Sequence, residues 1–107
     1  MKDNNIDIIK ELKKILNKEL NGLVKEVILF GSQLDEMTNQ HSDYDILIIV
    51  DTEITPKLKD EIISICYETD LKYGILTDTH ILSTHDINSL RGKQPVFTEA
   101  LNNGIRV

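Results

Sequence analysis

Hydrophobic residues recur at helical spacing near the start of the chain and then collect into short uninterrupted runs. Residues 5–20 carry Ile or Leu every three or four positions, with Lys and Glu on the opposite face and an Asn-Gly stop at 21–22. This pattern predicts an amphipathic helix. The apolar runs at 27–30 and 45–50 are short and rich in strand formers. We therefore predict two buried strands.

The second half of the chain shows the same alternation of helical and extended patterns. A Thr-Pro pair at 55–56 supplies an N-cap and a first-turn proline, so a second helix should run to about residue 69, with Cys66 in its buried stripe. Residues 73–82 are rich in Ile, Leu, Thr and Tyr, which predicts a third strand. Two shorter helical pieces are expected, after Ser83 or Thr84 and from Pro95 to Leu101.

Helices placed between strands predict an α/β fold, here a small mixed β-sheet covered by helices. The chain has 107 residues, of which 40% are hydrophobic, enough for one modest core. It contains no repeat, low-complexity tract or linker-like segment. We therefore expect residues 1–107 to form a single domain.

Composition excludes several classes of function. A net charge of −6 argues against sequence-independent nucleic-acid binding, which depends on cationic contacts to phosphates. A single cysteine, Cys66, excludes an internal disulfide and agrees with a reducing compartment. No apolar run is long enough to cross a membrane, and the first twenty residues do not resemble a signal peptide. We expect a cytoplasmic protein without membrane or direct nucleic-acid partners.

Two aspartates, Asp43 and Asp45, stand at the start of the second predicted strand. Strand side chains alternate between faces, so both carboxylates should project to the same side. Carboxylates this close stay ionised together when a cation lies between them, and such oxygen ligands suit Mg²⁺, whose coordination substrate phosphates usually complete. The pair predicts a magnesium site for a phosphate substrate. The alternative is that both are ordinary solubilising or capping residues.

A turn that could hold an anion precedes this pair. Gly31 lets the chain bend sharply after the first strand, so that backbone amides and the Ser32 hydroxyl can face a phosphate. Ser42 either belongs to the same phosphate site or caps the turn and holds Asp43 in place. We therefore expect the phosphate and metal sites to be adjacent.

The stretch "GSQLDEMTNQHSDYD" at residues 31–45, entering an apolar strand, resembles the signature of the DNA polymerase beta superfamily of nucleotidyltransferases. The short chain looks most like a minimal nucleotidyltransferase, the small type often partnered with a HEPN-domain protein in prokaryotic toxin–antitoxin modules. The resemblance extends over most of the chain, with its motif in residues 31–50. One departure is Glu36, where the family often has a second glycine, so the turn after Ser32 is expected to differ and to hold a phosphate less well.

The resemblance implies an enzyme that moves a nucleoside monophosphate, AMP from ATP in the first instance, to a hydroxyl group. The acceptor would be a tyrosine of a HEPN-type toxin, so that the protein acts as an antitoxin. It further implies two Mg²⁺ ions. The sequence leaves open whether the nucleotide is ATP or another nucleoside triphosphate, and whether the protein forms a homo-oligomer. The alternative function is a non-catalytic antitoxin that neutralises its partner by binding alone.

The family's chemistry also implies a third carboxylate that acts as general base. Asp78, inside the third predicted strand, is the first candidate, since a neighbouring strand could bring it to Asp43 and Asp45. Asp70 is the rival, although we expect it to face water at a helix end. Asp78 could instead be a gatekeeper against aggregation on an edge strand. His80 would share the face of Asp78 and could contact phosphates or orient the base.

Overall fold

The structure is a computed structural model that describes residues 4–31, 44–89 and 93–107. Within these ranges it contains helices α1, α2 and α3, one 3₁₀ turn, and strands β1 to β4. Their bounds in chain order are α1 Asn4–Glu19, β1 Val24–Phe30, β2 Tyr44–Val50, α2 Pro56–Tyr73, β3 Thr77–Ser83, the 3₁₀ turn Thr84–Asp86, α3 Pro95–Asn103 and β4 Ile105–Arg106.

The strands of the described residues form one mixed sheet in the order β3-β2-β1-β4. β1 runs antiparallel to both β2 and β4, whereas β2 and β3 are parallel. Parallel neighbours need a crossover connection, and α2 provides it between β2 and β3. The predicted α/β fold with a mixed sheet is confirmed.

Helices cover both faces of the sheet. On one face α1 and α2 pack against alternate strand residues in a core that includes Leu12, Ile48 and Ile62. On the other face α3 contributes Phe97 and Ala100 to a second, smaller core. The second core also contains strand residues, namely Ile28, Phe30, Leu47, Ile49 and Leu82. α3 lies on this face, and the residues that begin β2 and β3 lie outside its core.

Helix α2 is longer than the pattern predicted, and β3 begins correspondingly later. α2 continues past residue 69 to Tyr73 and ends at Gly74, which adopts φ 67°. The Tyr73 hydroxyl donates a hydrogen bond of 2.6 Å to Glu11 in α1, so contact between the helices holds the last turn. Residues 73–76 were predicted as strand because they are apolar, but this tertiary contact and the glycine cap outweigh the local pattern.

Two further differences concern β1 and β4. β1 begins at Val24 rather than at residue 27. The first residues of the strand were missed because a register shift between Val24 and Glu26 interrupts the apolar alternation. β4 was not predicted, because two residues are too few to show a periodic pattern. The Val107 amide donates to the Val27 carbonyl at 2.9 Å, which extends the contact of the chain end with β1.

Two expectations about α2 are confirmed. The Thr55 side chain accepts a hydrogen bond from the Leu58 amide at 3.1 Å, as expected of an N-cap. Cys66 lies in the buried stripe, and desolvation raises the pKa of its thiol to about 11. The thiol is therefore protonated at neutral pH and unsuited to nucleophilic chemistry.

Across the described ranges, every helix is too short or too polar to cross a membrane.

Candidate active site

The candidate site lies where β2 and β3 begin and β1 ends. The parallel register pairs Asp45 of β2 with Asp78 of β3. Both side chains point to the α3 face, since they alternate in phase with Leu47 and Leu82 of the second core. Two carboxylates thus project side by side from neighbouring strands at the rim of the sheet.

His80 adds a nitrogen donor to this pair of carboxylates. It is two residues after Asp78 on the same strand face, and its Nε2 lies 3.5 Å from Asp78 Oδ2. One ligand atom from each of Asp45, Asp78 and His80 falls within 4.8 Å of the others. The three side chains converge closely enough to surround one cation.

The imidazole of His80 rests against an aromatic ring. The ring centroids of Phe30 and His80 are 5.8 Å apart with the planes inclined by 48°. Phe30 is buried at the end of β1, so it supplies a fixed apolar surface beside the imidazole. A cavity of about 200 Å³ also adjoins His80, and Thr79, Ile81 and Phe97 are among the other residues that line it. His80 thus packs against a buried ring and also borders an open cavity.

Gly31 makes room for the Asp45 carboxylate. Its φ of 80° lies in the left-handed region, and a Cβ at this position would overlap Asp45 Oδ2. The sequence predicted a turn glycine here because of its freedom in φ. The structure adds a second reason for glycine, which is the close approach of a site carboxylate.

Replacing Gly31 with Ala should lower activity by roughly tenfold to 10²-fold, because the added methyl group displaces the Asp45 carboxylate. Gly22→Ala is the matched control, since Gly22 also has φ 80° but a methyl group added there would meet nothing within 4 Å. Both variants should lose roughly 1–2 kcal/mol of stability from the backbone conformation. Steady-state rates of the transfer reaction expected from the sequence, together with thermal unfolding of the two variants, separate the two effects. Equal rates in both would contradict this role for Gly31.

The residues predicted for the site divide into two groups. Gly31, Asp45 and Asp78 come together at one rim of the sheet. Ser32, Ser42 and Asp43 lie outside the described residues.

Asp70, the rival third carboxylate, does not simply face water as expected. Its Oδ2 accepts hydrogen bonds from the Thr77 amide at 3.2 Å and the Thr77 hydroxyl at 3.3 Å. These bonds join the end of α2 to the start of β3. The prediction missed them because it placed strand at residues 73–76, whereas the chain turns there and returns Thr77 to Asp70.

The contact of Phe30 with His80 was also missed by the sequence analysis. Phe30 belongs to β1 and His80 to β3, with β2 between them. The sequence offered one signal for this contact, the aromatic residue Phe30 next to the turn glycine. An aromatic residue at that position is equally typical of a hydrophobic core. The strand order was needed to bring the two rings together.

The chain matches the sequence model of a family described as nucleotidyltransferase domain over residues 9–98. It is also similar to two proteins of the archaeon Methanocaldococcus jannaschii, each bearing the name "putative protein adenylyltransferase". One is 44% identical over 71 residues, covering 66% of this chain and 72% of the relative. The other is 31% identical over 94 residues, covering 88% of this chain and 79% of the relative. No solved structure gives a significant match.

Proposed function

This chain belongs to the nucleotidyltransferase domain family, and from that membership we propose that it transfers AMP from ATP to a hydroxyl group of a protein. The pairing of Asp45 with Asp78 across the parallel strands is the observation that carries the proposal. The names of the two archaeal relatives support both the adenylyl group and a protein acceptor.

The family implies divalent cations, and the donor set of this site fits them. Asp45, Asp78 and His80 offer two carboxylates and one imidazole within reach of a single ion. We propose that Asp43 and Asp45 hold a Mg²⁺ that accompanies the triphosphate, and that Asp45 and Asp78 hold a second ion. When bound, the ions would offset the charge of the triphosphate and of the leaving pyrophosphate.

Asp78 is proposed to be the general base. Its side chain is 54% exposed at the start of β3, which is the edge strand among the described residues, so an acceptor hydroxyl can reach it from solvent. The carboxylate takes the proton of that hydroxyl as the oxygen forms a bond to the α-phosphorus of ATP. The bond from the α-phosphorus to the bridging oxygen breaks, and pyrophosphate leaves with its electron pair.

Gly31, Ser32 and Ser42 are proposed to bind the triphosphate. The left-handed turn at Gly31 follows β1 directly beside Asp45, which brings a phosphate on the turn close to the carboxylates. The Ser32 hydroxyl and neighbouring amides would donate hydrogen bonds to the phosphate oxygens. A triphosphate bound in this way would have its α-phosphorus near Asp78.

We further propose that the acceptor is a tyrosine of a HEPN-domain partner, and that its modification neutralises a toxin. The outer edge of β3 carries Asp78 at its beginning, and among the described residues no strand covers that edge. A protein segment presenting a hydroxyl can therefore approach the base without passing through a closed pocket.

The test is incubation of the purified protein with labelled ATP, GTP, CTP or UTP and Mg²⁺, with and without the product of a neighbouring gene. Label from ATP should appear on the partner, and peptide mass spectrometry should place it on tyrosine. A wild-type protein that labels nothing yet protects cells from a co-expressed toxin would replace this proposal with the binding-only antitoxin.

A further inference from the structure

We propose that His80 is a metal ligand and that it makes the ion site of Asp45 and Asp78 prefer Mn²⁺ to Mg²⁺. This inference rests on the proposed function, because it concerns the second of the two ions in that mechanism. It adds a nitrogen ligand to a site for which the sequence predicted carboxylates alone.

Distances at the site suit a shared ion better than a direct bond between side chains. Two ligands about 2.1 Å from one ion are about 3.0 Å apart in octahedral and about 3.4 Å apart in tetrahedral geometry. His80 Nε2 and Asp78 Oδ2 are separated by 3.5 Å, which is long for a charge-assisted hydrogen bond. The Asp45 carboxylate completes the group within 4.8 Å. Small side-chain rotations would bring all three donors to one ion.

The imidazole is also held in place before any ion arrives. The His80 side chain is only 26% exposed, less than half the value for Asp78, and it rests against the buried Phe30 ring. Restricting a ligand in this way reduces the entropy lost when it binds an ion. A histidine that served only to solubilise an edge strand would not need this packing.

The types of ligand atom determine which ion the site binds more tightly. Mg²⁺ takes oxygen ligands and gives up its waters reluctantly. The first-row transition ions, of which Mn²⁺ is the weakest binder, also bind sites that mix oxygen with nitrogen donors. A site with two carboxylates and one imidazole should therefore favour Mn²⁺. The Mg²⁺ proposed between Asp43 and Asp45 is assigned carboxylate ligands.

Mn²⁺ provides a direct test of nitrogen coordination. Electron spin echo envelope modulation of the full chain loaded with Mn²⁺ should show coupling to a ¹⁴N nucleus, and His80→Ala should remove it. Calorimetric titration should show Mn²⁺ binding weakened by roughly tenfold or more in His80→Ala, with a smaller change for Mg²⁺. His85→Ala is the matched control, because His85 is exposed in the 3₁₀ turn beyond the far end of β3.

The outcomes separate this inference from the proposed function. Absence of nitrogen coupling in the wild-type protein would overturn the inference even if AMP transfer proceeds with Mg²⁺. Unchanged Mn²⁺ affinity in a folded His80→Ala variant would overturn it as well. Nitrogen coupling that depends on His80, in a protein that transfers no nucleotide, would support the metal site and contradict the proposed function.

Discussion

Replacing Asp45 with Asn is expected to lower the rate of AMP transfer by more than roughly 10³-fold, because Asp45 is proposed to bind both ions. The substitution keeps the shape of the side chain and removes its charge. Asp45 is paired with Asp78 across β2 and β3, and its carboxylate closely approaches Gly31. Metal-dependent ATP binding should weaken in parallel, as measured by titration calorimetry.

Asp43→Asn should reproduce the loss of transfer, because Asp43 is proposed to share the Mg²⁺ with Asp45. The control is Asp60→Asn, which removes an exposed carboxylate from α2 and should leave the rate unchanged. Transfer at the wild-type rate in both Asp43→Asn and Asp45→Asn would refute the metal site. Far-ultraviolet circular dichroism establishes that each variant remains folded.

Asp78→Asn is expected to separate binding from catalysis. The rate of transfer should fall by roughly 10²–10⁴-fold, because the acceptor hydroxyl loses its proton acceptor. Most of the MgATP affinity should remain, since Asp43 and Asp45 still hold the ion that accompanies the triphosphate. Single-turnover rates together with equilibrium ATP binding measure the two effects independently.

The position of Asp78 also leaves a structural role to be tested. Among the strands of the described residues, β3 lies at the edge of the sheet beside β2, which is where a charged residue can prevent aggregation. If Asp78 serves only that purpose, Asp78→Asn should reduce solubility and leave the transfer rate near that of the wild type. Asp70→Asn would then be examined as the alternative base, although its bonds to Thr77 predict a loss of stability as well.

Much of the fold could be predicted because its elements have strong local patterns. The period of Ile and Leu in α1 and the Thr55-Pro56 start of α2 are local signals that the tertiary structure preserves. The predicted end of α2 was wrong because the observed end depends on the hydrogen bond from Tyr73 to Glu11, a residue 62 positions away in sequence. The family inferred from residues 31–45 is confirmed by the match over residues 9–98.

The candidate site was only partly predictable because its geometry depends on strand register. The sequence could nominate Asp78, but a shift of one residue between β2 and β3 would have turned it to the opposite face of the sheet. Local pattern carries no information on that register, since α2 and its flanking turns separate the strands. The same reason explains why His80 was recognised as a candidate while its support by Phe30 was not.

The placement of the site at the rim of the sheet has an evolutionary consequence. Asp45, Asp78 and His80 lie outside both hydrophobic cores, whose members are the apolar residues of the helices and strands. A lineage could therefore lose catalysis through one substitution and still inherit the same folded surface for a partner. Enzymes and inactive binding proteins can then be separated by single mutations, so presence of the fold alone does not establish activity in other members.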